Sequence, residues 1–194
     1  MSKRDGILQA ATELFAKDGF RGTPLAAIAD RSGVTAPAIT HHFGTKRSLL
    51  LEVVEALDRL DEERMAAAPD ATGLEQLGAN RNWAGLLLEN SATATLARLR
   101  IVMVAEALDP EFPVHGHFVA RNRRLVRMLV EILHRGQRDG SIRADIDPAI
   151  VAAEVVAFMQ GATMQWFLDP AGTPLQAMVD RYFDRLVAEV GLTG

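Results

Sequence analysis

Apolar side chains recur at spacings of three and four along nearly the whole chain, and no segment alternates apolar with polar as a half-buried strand does. That pattern restricts the fold to packed helices. Ile7, Leu8, Ala11, Leu14 and Phe15 share one helical face, and Gly19 supplies a stop signal. Thr23 followed by Pro24 reads as an N-cap ahead of a proline at the first helical position. The short helix it opens carries Leu25, Ile28 and Ala29 and ends at Ser32-Gly33. Thr35 caps a brief third helix at 36–42, where Pro37 is tolerated because the first turn has spare N–H groups. Gly44 breaks the chain again. Thr45 then caps a connecting helix whose stripe of Leu49, Leu50, Val53, Val54, Leu57 and Leu60 runs to about Arg64.

The stretch AAAPDATG, 66–73, has the composition of a loop and marks a boundary. Beyond it the periodicity predicts helices at 73–90, 92–108, 113–138, 148–168 and 174–190, separated by Asp-Pro and Gly breaks. No internal repeat is visible. The expected fold class is all-α.

Composition narrows the chemistry. With 194 residues, 48% hydrophobic and 24% charged, the chain is globular. It has no cysteine, which removes disulfides, thiolate nucleophiles and Cys-based metal sites. Neither a signal-like apolar region nor a membrane-length run is present, so a cytoplasmic protein with no membrane partner is expected. No serine sits in a G-x-S-x-G elbow, and neither G-x-G-x-x-G nor G-x-x-x-x-G-K occurs. Adjacent helical residues point about 100° apart, so His41-His42 does not converge on a metal, and the His115/His117 spacing of two fails to share a helical face. Neither enzyme, metal nor cofactor is expected.

A net charge of −4 taken alone argues against nucleic acid. The average conceals a split. Residues 1–47 hold Lys3, Arg4, Lys17, Arg21, Arg31, Lys46 and Arg47 against Asp5, Glu13, Asp18 and Asp30, a net of +3 against −7 for the remainder. Within that basic end, a helix, the turn Ser32-Gly33-Val34 and a second short helix have helix-turn-helix spacing, in which the second helix enters the major groove.

The string ILQAATELFAKDGFRGTPLAAIADRSGVTAPAITHHFGTKRSLL resembles the N-terminal domain of the tetracycline-repressor (TetR) family of bacterial transcription regulators. The likeness spans about residues 4–50 and includes Ala11, Leu14, Phe15, Gly19, Thr23, Ile28, Ala29, Gly33, Val34, His42, Phe43, Lys46 and Leu49. It implies a helix-turn-helix DNA-binding domain at 1–47, joined by a connecting helix to a helical ligand-binding and dimerisation domain at 48–194. The function it implies is a DNA-binding transcriptional regulator, a ligand-responsive homodimeric repressor on near-palindromic double-stranded DNA. One position departs from the family. Thr40 stands where an aromatic tyrosine usually donates to a phosphate, and a threonine hydroxyl has a shorter reach. This, with the modest +3 charge, keeps a second reading open: a ligand-binding or scaffold dimer whose DNA reader has decayed.

Val34, Ile39 and Phe43 read as core, whereas Thr35, Ala36, Ala38, Thr40 and His41 are expected to line the groove side, with Pro37 stiffening the helix start. On the residues alone, Thr23 is better read as a cap and Lys46 as a solvated charge. The resemblance turns both toward phosphate contact.

For a small apolar effector, the candidate lining residues are Trp83, Leu87, Arg98, Met103, Glu106, Phe118, Asn122, Met159, Met164 and Trp166, because Met and aromatic side chains make adaptable pockets. The last two helices carry Ile150, Val151, Val155, Val156, Phe158, Met159, Trp166 and Phe167, then Leu175, Met178, Val179, Tyr182, Phe183, Leu186, Val187 and Val190. The first of these is apolar on more than one face, and both helices are expected to pair with their copies in a four-helix dimer bundle, as the resemblance also implies; an intrachain core is the alternative.

Overall fold

A computed structural model of the chain describes residues 2–65 and 71–192, with side chains given to Arg59 and again from Ala71. Among the described residues there are ten helices: α1 (Lys3–Gly22), α2 (Leu25–Ser32), α3 (Ala36–Phe43), α4 (Lys46–Met65), α5 (Gly73–Ala79), α6 (Asn82–Glu89), α7 (Ser91–Glu106), α8 (His115–Asp139), α9 (Pro148–Leu168) and α10 (Leu175–Val190). The only extended pairing among them is an isolated antiparallel bridge between Ile142 and Gly191. None of these helices is long and apolar enough to cross a membrane. The fold is all-α. Most of the loop expected at 66–73, and the side chains of Leu60 and Arg64, lie outside the described residues.

The helix ends follow their capping chemistry. Ser2 and Asp5 form a reciprocal capping box at the start of α1, Ser2 Oγ accepting from the Asp5 N–H at 3.1 Å and Asp5 Oδ2 from the Ser2 N–H at 2.9 Å. Asp147 caps α9 from its side chain, with Pro148 in the first turn. Thr45 caps α4 by accepting the Ser48 N–H at 3.0 Å. Two expectations are corrected. The helix drawn at 73–90 is two helices, because Asn80 turns its amide back onto the Gln76 and Leu77 carbonyls and the chain bends there. The expected cap at Thr23 does not form; Pro24 takes the N-cap position without a side-chain bond, and Leu25 is the first helical residue.

The described chain forms two compact units, each discontinuous in sequence: 1–65 with 91–119, and 66–90 with 120–194. In the first, α1 packs on α7, α2 and α4, while α3 packs on α2 and α4. Its core gathers Ile7, Ala11, Phe15, Ile28, Ile39, Phe43, Leu49, Leu50 and Val53 with Leu99, Met103, Phe112, Val114 and Phe118. In the second, α10 packs on α9, α5 and α6, burying Leu175, Val179, Phe183, Leu186 and Val190.

Candidate nucleic-acid interface

The candidate interface is built on a turn that only certain residues can make. Gly33 sits at φ +68° and ψ 30°, a left-handed conformation that costs glycine nothing, and it closes α2 as the Val34 N–H bonds the Ala29 carbonyl at 3.1 Å. Two residues later Thr35 opens α3, its hydroxyl accepting a long 3.4 Å bond from the Ala38 N–H. Ile39 and Phe43 are buried beneath α3, with Val34 packed partly against the same core.

What remains outward is a narrow face. Thr35, Pro37, Thr40, His41 and His42 are exposed, Ala38 is half-buried, and Thr40 Oγ1 donates to the Ala36 carbonyl at 3.2 Å. Ala36 is corrected from groove to core side. It lies three residues before Ile39 and seven before Phe43, the spacing of one helical face, and packs partly against the hydrophobic cluster. Pro37 is instead on the outer face with His41, four residues on.

Thr23 is also corrected. It is 1% exposed, and its hydroxyl donates to the Gly19 carbonyl at 2.7 Å, with Leu14 O also in range, so its one O–H donor is turned inward and not offered to a phosphate. Lys46 is half-buried. Its ammonium donates to the Phe20 carbonyl and lies 4.3 Å from the centre of the Phe20 ring, and burial holds its pKa below the ordinary lysine value. Of the other basic residues in 1–47, Arg4 pairs with Glu52, Arg31 with Glu13 and Arg21 with Asp109. The Arg31 guanidinium keeps the Glu13 carboxyl below the usual carboxylate range. Arg47, exposed at the start of α4 with no ion pair among the described residues, was counted in the charge balance but not singled out by sequence; its place one residue after Lys46 was the available signal.

The residues expected around an effector divide between the units. In the first, Met103 and Phe118 are core, Arg98 is exposed, and both Glu106 oxygens are taken by backbone N–H groups of Phe20 and Arg21. In the second, Leu87 is core, Asn122 and Met164 are exposed, and Trp83, Met159 and Trp166 are half-buried. Leu87, Met103 and Phe118 are buried with the core side chains. The histidines serve separately: His115 Nδ1 bonds the Ala107 carbonyl at 2.7 Å, and His117 Nε2 lies 3.2 Å from Asp58 Oδ2. Among the described residues no three metal-ligating side chains converge.

Comparison with known proteins decides the lineage. The family model described as bacterial regulatory proteins, tetR family, matches residues 7–53, and that of the BetI-type transcriptional repressor C-terminal domain matches 86–188, more than half of the chain. The chain belongs to the TetR family. Among its curated relatives, the HTH-type transcriptional repressor KstR2 of Mycolicibacterium smegmatis is 29% identical over 91% of this chain and 83% of its own. The HTH-type transcriptional regulator TtgR of Pseudomonas putida is 26% identical over 93% and 88%. The fold is shared with a TetR transcriptional regulator from Chloroflexus aurantiacus, at a TM-score of 0.87, 20% identity and 98% and 97% coverage. It is shared too with a transcriptional regulator from Saccharomonospora viridis solved in complex with choline, at 0.83, 20% and 98% of each chain. As a TetR-family protein this chain is a DNA-binding transcriptional regulator and not an enzyme.

Proposed function

We propose that this chain is a ligand-responsive repressor that binds a near-palindromic operator as a homodimer, with residues 1–47 as the reader and 48–194 carrying effector binding and dimerisation. The observation that carries the reading is the outer face of α3, where Thr35, Pro37, Thr40 and His41 stand free of the core beyond the Gly33 turn. Ala38 and the threonine methyls suit a thymine methyl, and His41 suits a base edge or phosphate. Two such helices must lie about 34–36 Å apart, or a multiple, to meet successive major grooves, which makes the operator symmetric. The protein acts in the cytoplasm, where its DNA lies. Its curated relatives include repressors by name, which supports repression as the sign of control.

Lys46 supplies one phosphate contact in this reading. An ammonium has three N–H donors, and the Phe20 carbonyl takes one, leaving two for a phosphate. Lys46→Ala is therefore expected to weaken binding to all sequences alike and to shallow the log–log salt dependence by about 0.9. Fluorescence anisotropy titrations of the operator duplex between low and moderate salt read both quantities. An unchanged slope removes Lys46 from the phosphate contacts.

Effector binding is supported by Trp83, whose indole Nε1 is buried with no hydrogen-bond partner. A buried donor of this kind is costly unless something accepts from it. An apolar effector carrying one acceptor is expected to change tryptophan emission through Trp83 or Trp166 and to release DNA without splitting the dimer. Screening compounds by emission, then sizing the protein with each hit, checks this. A set of inducers that all yield monomers would contradict it.

A further inference from the structure

Past the kink at Gly19, where φ is +73° and ψ 172°, the N–H groups of Phe20 and Arg21 leave the α1 ladder and are accepted by a single carboxylate. Glu106 Oε2 takes the Phe20 N–H at 2.8 Å, and Oε1 takes the Arg21 N–H at 3.3 Å. Glu106 is the last residue of α7, outside the helix-turn-helix. The grip continues beyond it: Asp109 Oδ2 accepts from Arg21 Nη2 at 2.5 Å, and Phe112 meets the Phe20 ring edge-on with centroids 5.7 Å apart.

The peptide unit that joins Phe20 to Arg21 is a rigid plane, so fixing its N–H fixes its carbonyl. That carbonyl is the one to which Lys46 donates, while the ring of the same Phe20 lies under the ammonium. One flat group thus has a carboxylate from α7 on its N–H edge and the lysine at the head of α4 on its C=O edge. Hydrogen bonds chained through one amide polarise each other in the same sense. Through space the Glu106 charge also favours the protonated lysine, against the desolvation that opposes it.

We propose that Glu106 is a positioning residue for DNA binding: by holding the Phe20–Arg21 peptide it sets where the Lys46 ammonium is presented to the DNA backbone. The inference rests on the reading of Lys46 as a phosphate contact. It moves Glu106 from the effector pocket, where its residue type and helix placed it, to the support of the reader.

The test uses the full chain and an operator duplex recovered by the unmodified protein from a random duplex library. Binding is titrated against salt for the unmodified chain, Lys46→Ala, Glu106→Gln and the double variant. Glutamine keeps the shape but has one acceptor oxygen and no charge. Glu106→Gln is expected to weaken binding about tenfold and to shallow the salt slope by up to about 0.9, with the double variant no weaker than Lys46→Ala alone. A Glu106→Gln loss at the unmodified slope, additive with Lys46→Ala, would make Glu106 a structural tie only and overturn the proposal. Unchanged binding would overturn it too. If Lys46→Ala itself keeps the full slope, the phosphate reading of Lys46 has failed and the positioning role falls with it. Should Glu106→Gln not fold, Glu106→Asp, which keeps the charge on a shorter reach, goes through the same titrations and is expected to shift slope and affinity in the same direction by less; an unshifted slope in that variant overturns the proposal.

Discussion

Replacing Phe15 with alanine is expected to cost about 3–5 kcal/mol, the range for truncating a fully buried aromatic. Phe15 is 0% exposed in the core of the first unit, and its ring lies 5.7 Å from that of Phe20, which in turn meets Phe112. Deleting it removes the floor under both the Gly19 kink and α7. Against a typical total of about 5–15 kcal/mol, the loss takes much of the margin, and a melting temperature roughly 6–20 °C lower is expected for a chain of this size. Urea titration followed by circular dichroism measures it. A cost below about 1 kcal/mol would mean that the aromatic cluster closes over the space.

In the proposed homodimer, Ala157→Arg is expected to give folded monomers. Along α9, Ile150, Ala153, Ala157, Met164 and Leu168 are exposed on spacings of three, four and seven, and Leu168 and Ile150 are 79% and 59% exposed. Among the described residues of its own unit these side chains are left exposed, and a second copy of the same helix would cover them. An arginine there replaces an exposed side chain, so the fold persists, yet it puts a charge on each copy of the apolar stripe that the proposed dimer would bury. Losing the second half-site contact removes the gain from bivalency, about 10²–10⁴-fold in operator affinity. Size-exclusion chromatography with light scattering reads the assembly. A variant that stays dimeric and binds normally assigns the interface to another face.

The elements were legible where local chemistry fixes them. Gly33, Thr35 and Thr45 each act through their own or the next turn's backbone, so their roles show in the linear order of residues. Ile39 and Phe43 were readable as core by period alone. What failed depended on where a side chain turns or which distant element packs on it, which the order of residues does not show. Thr23 before Pro24 has the pattern of a cap, but the Gly19 kink brings the Gly19 carbonyl within reach, and the hydroxyl turns inward to it. Ala36 is too small for its facing to be read from type. That Glu106 accepts the Phe20 and Arg21 N–H groups shows only once α1 is seen packed on α7. Asn80 was missed as a break because asparagine in a helical run competes for backbone carbonyls only when its side chain folds back.

The interleaving of the first unit has a consequence for how the protein is made. Its core draws on residues 1–65 and on 91–119, so Phe15 and Ile7 have no lid until Leu99, Met103, Phe112 and Phe118 have been synthesised. At about 5–20 residues per second, the emerging N-terminal helices wait several seconds on the ribosome with apolar surface uncovered. During translation the reader is therefore an incomplete body, and a ribosome stalled between residues 65 and 91 displays exposed core to chaperones and proteases. Completion of the chain through Phe118, rather than of the helix-turn-helix itself, is the event that ends this vulnerability.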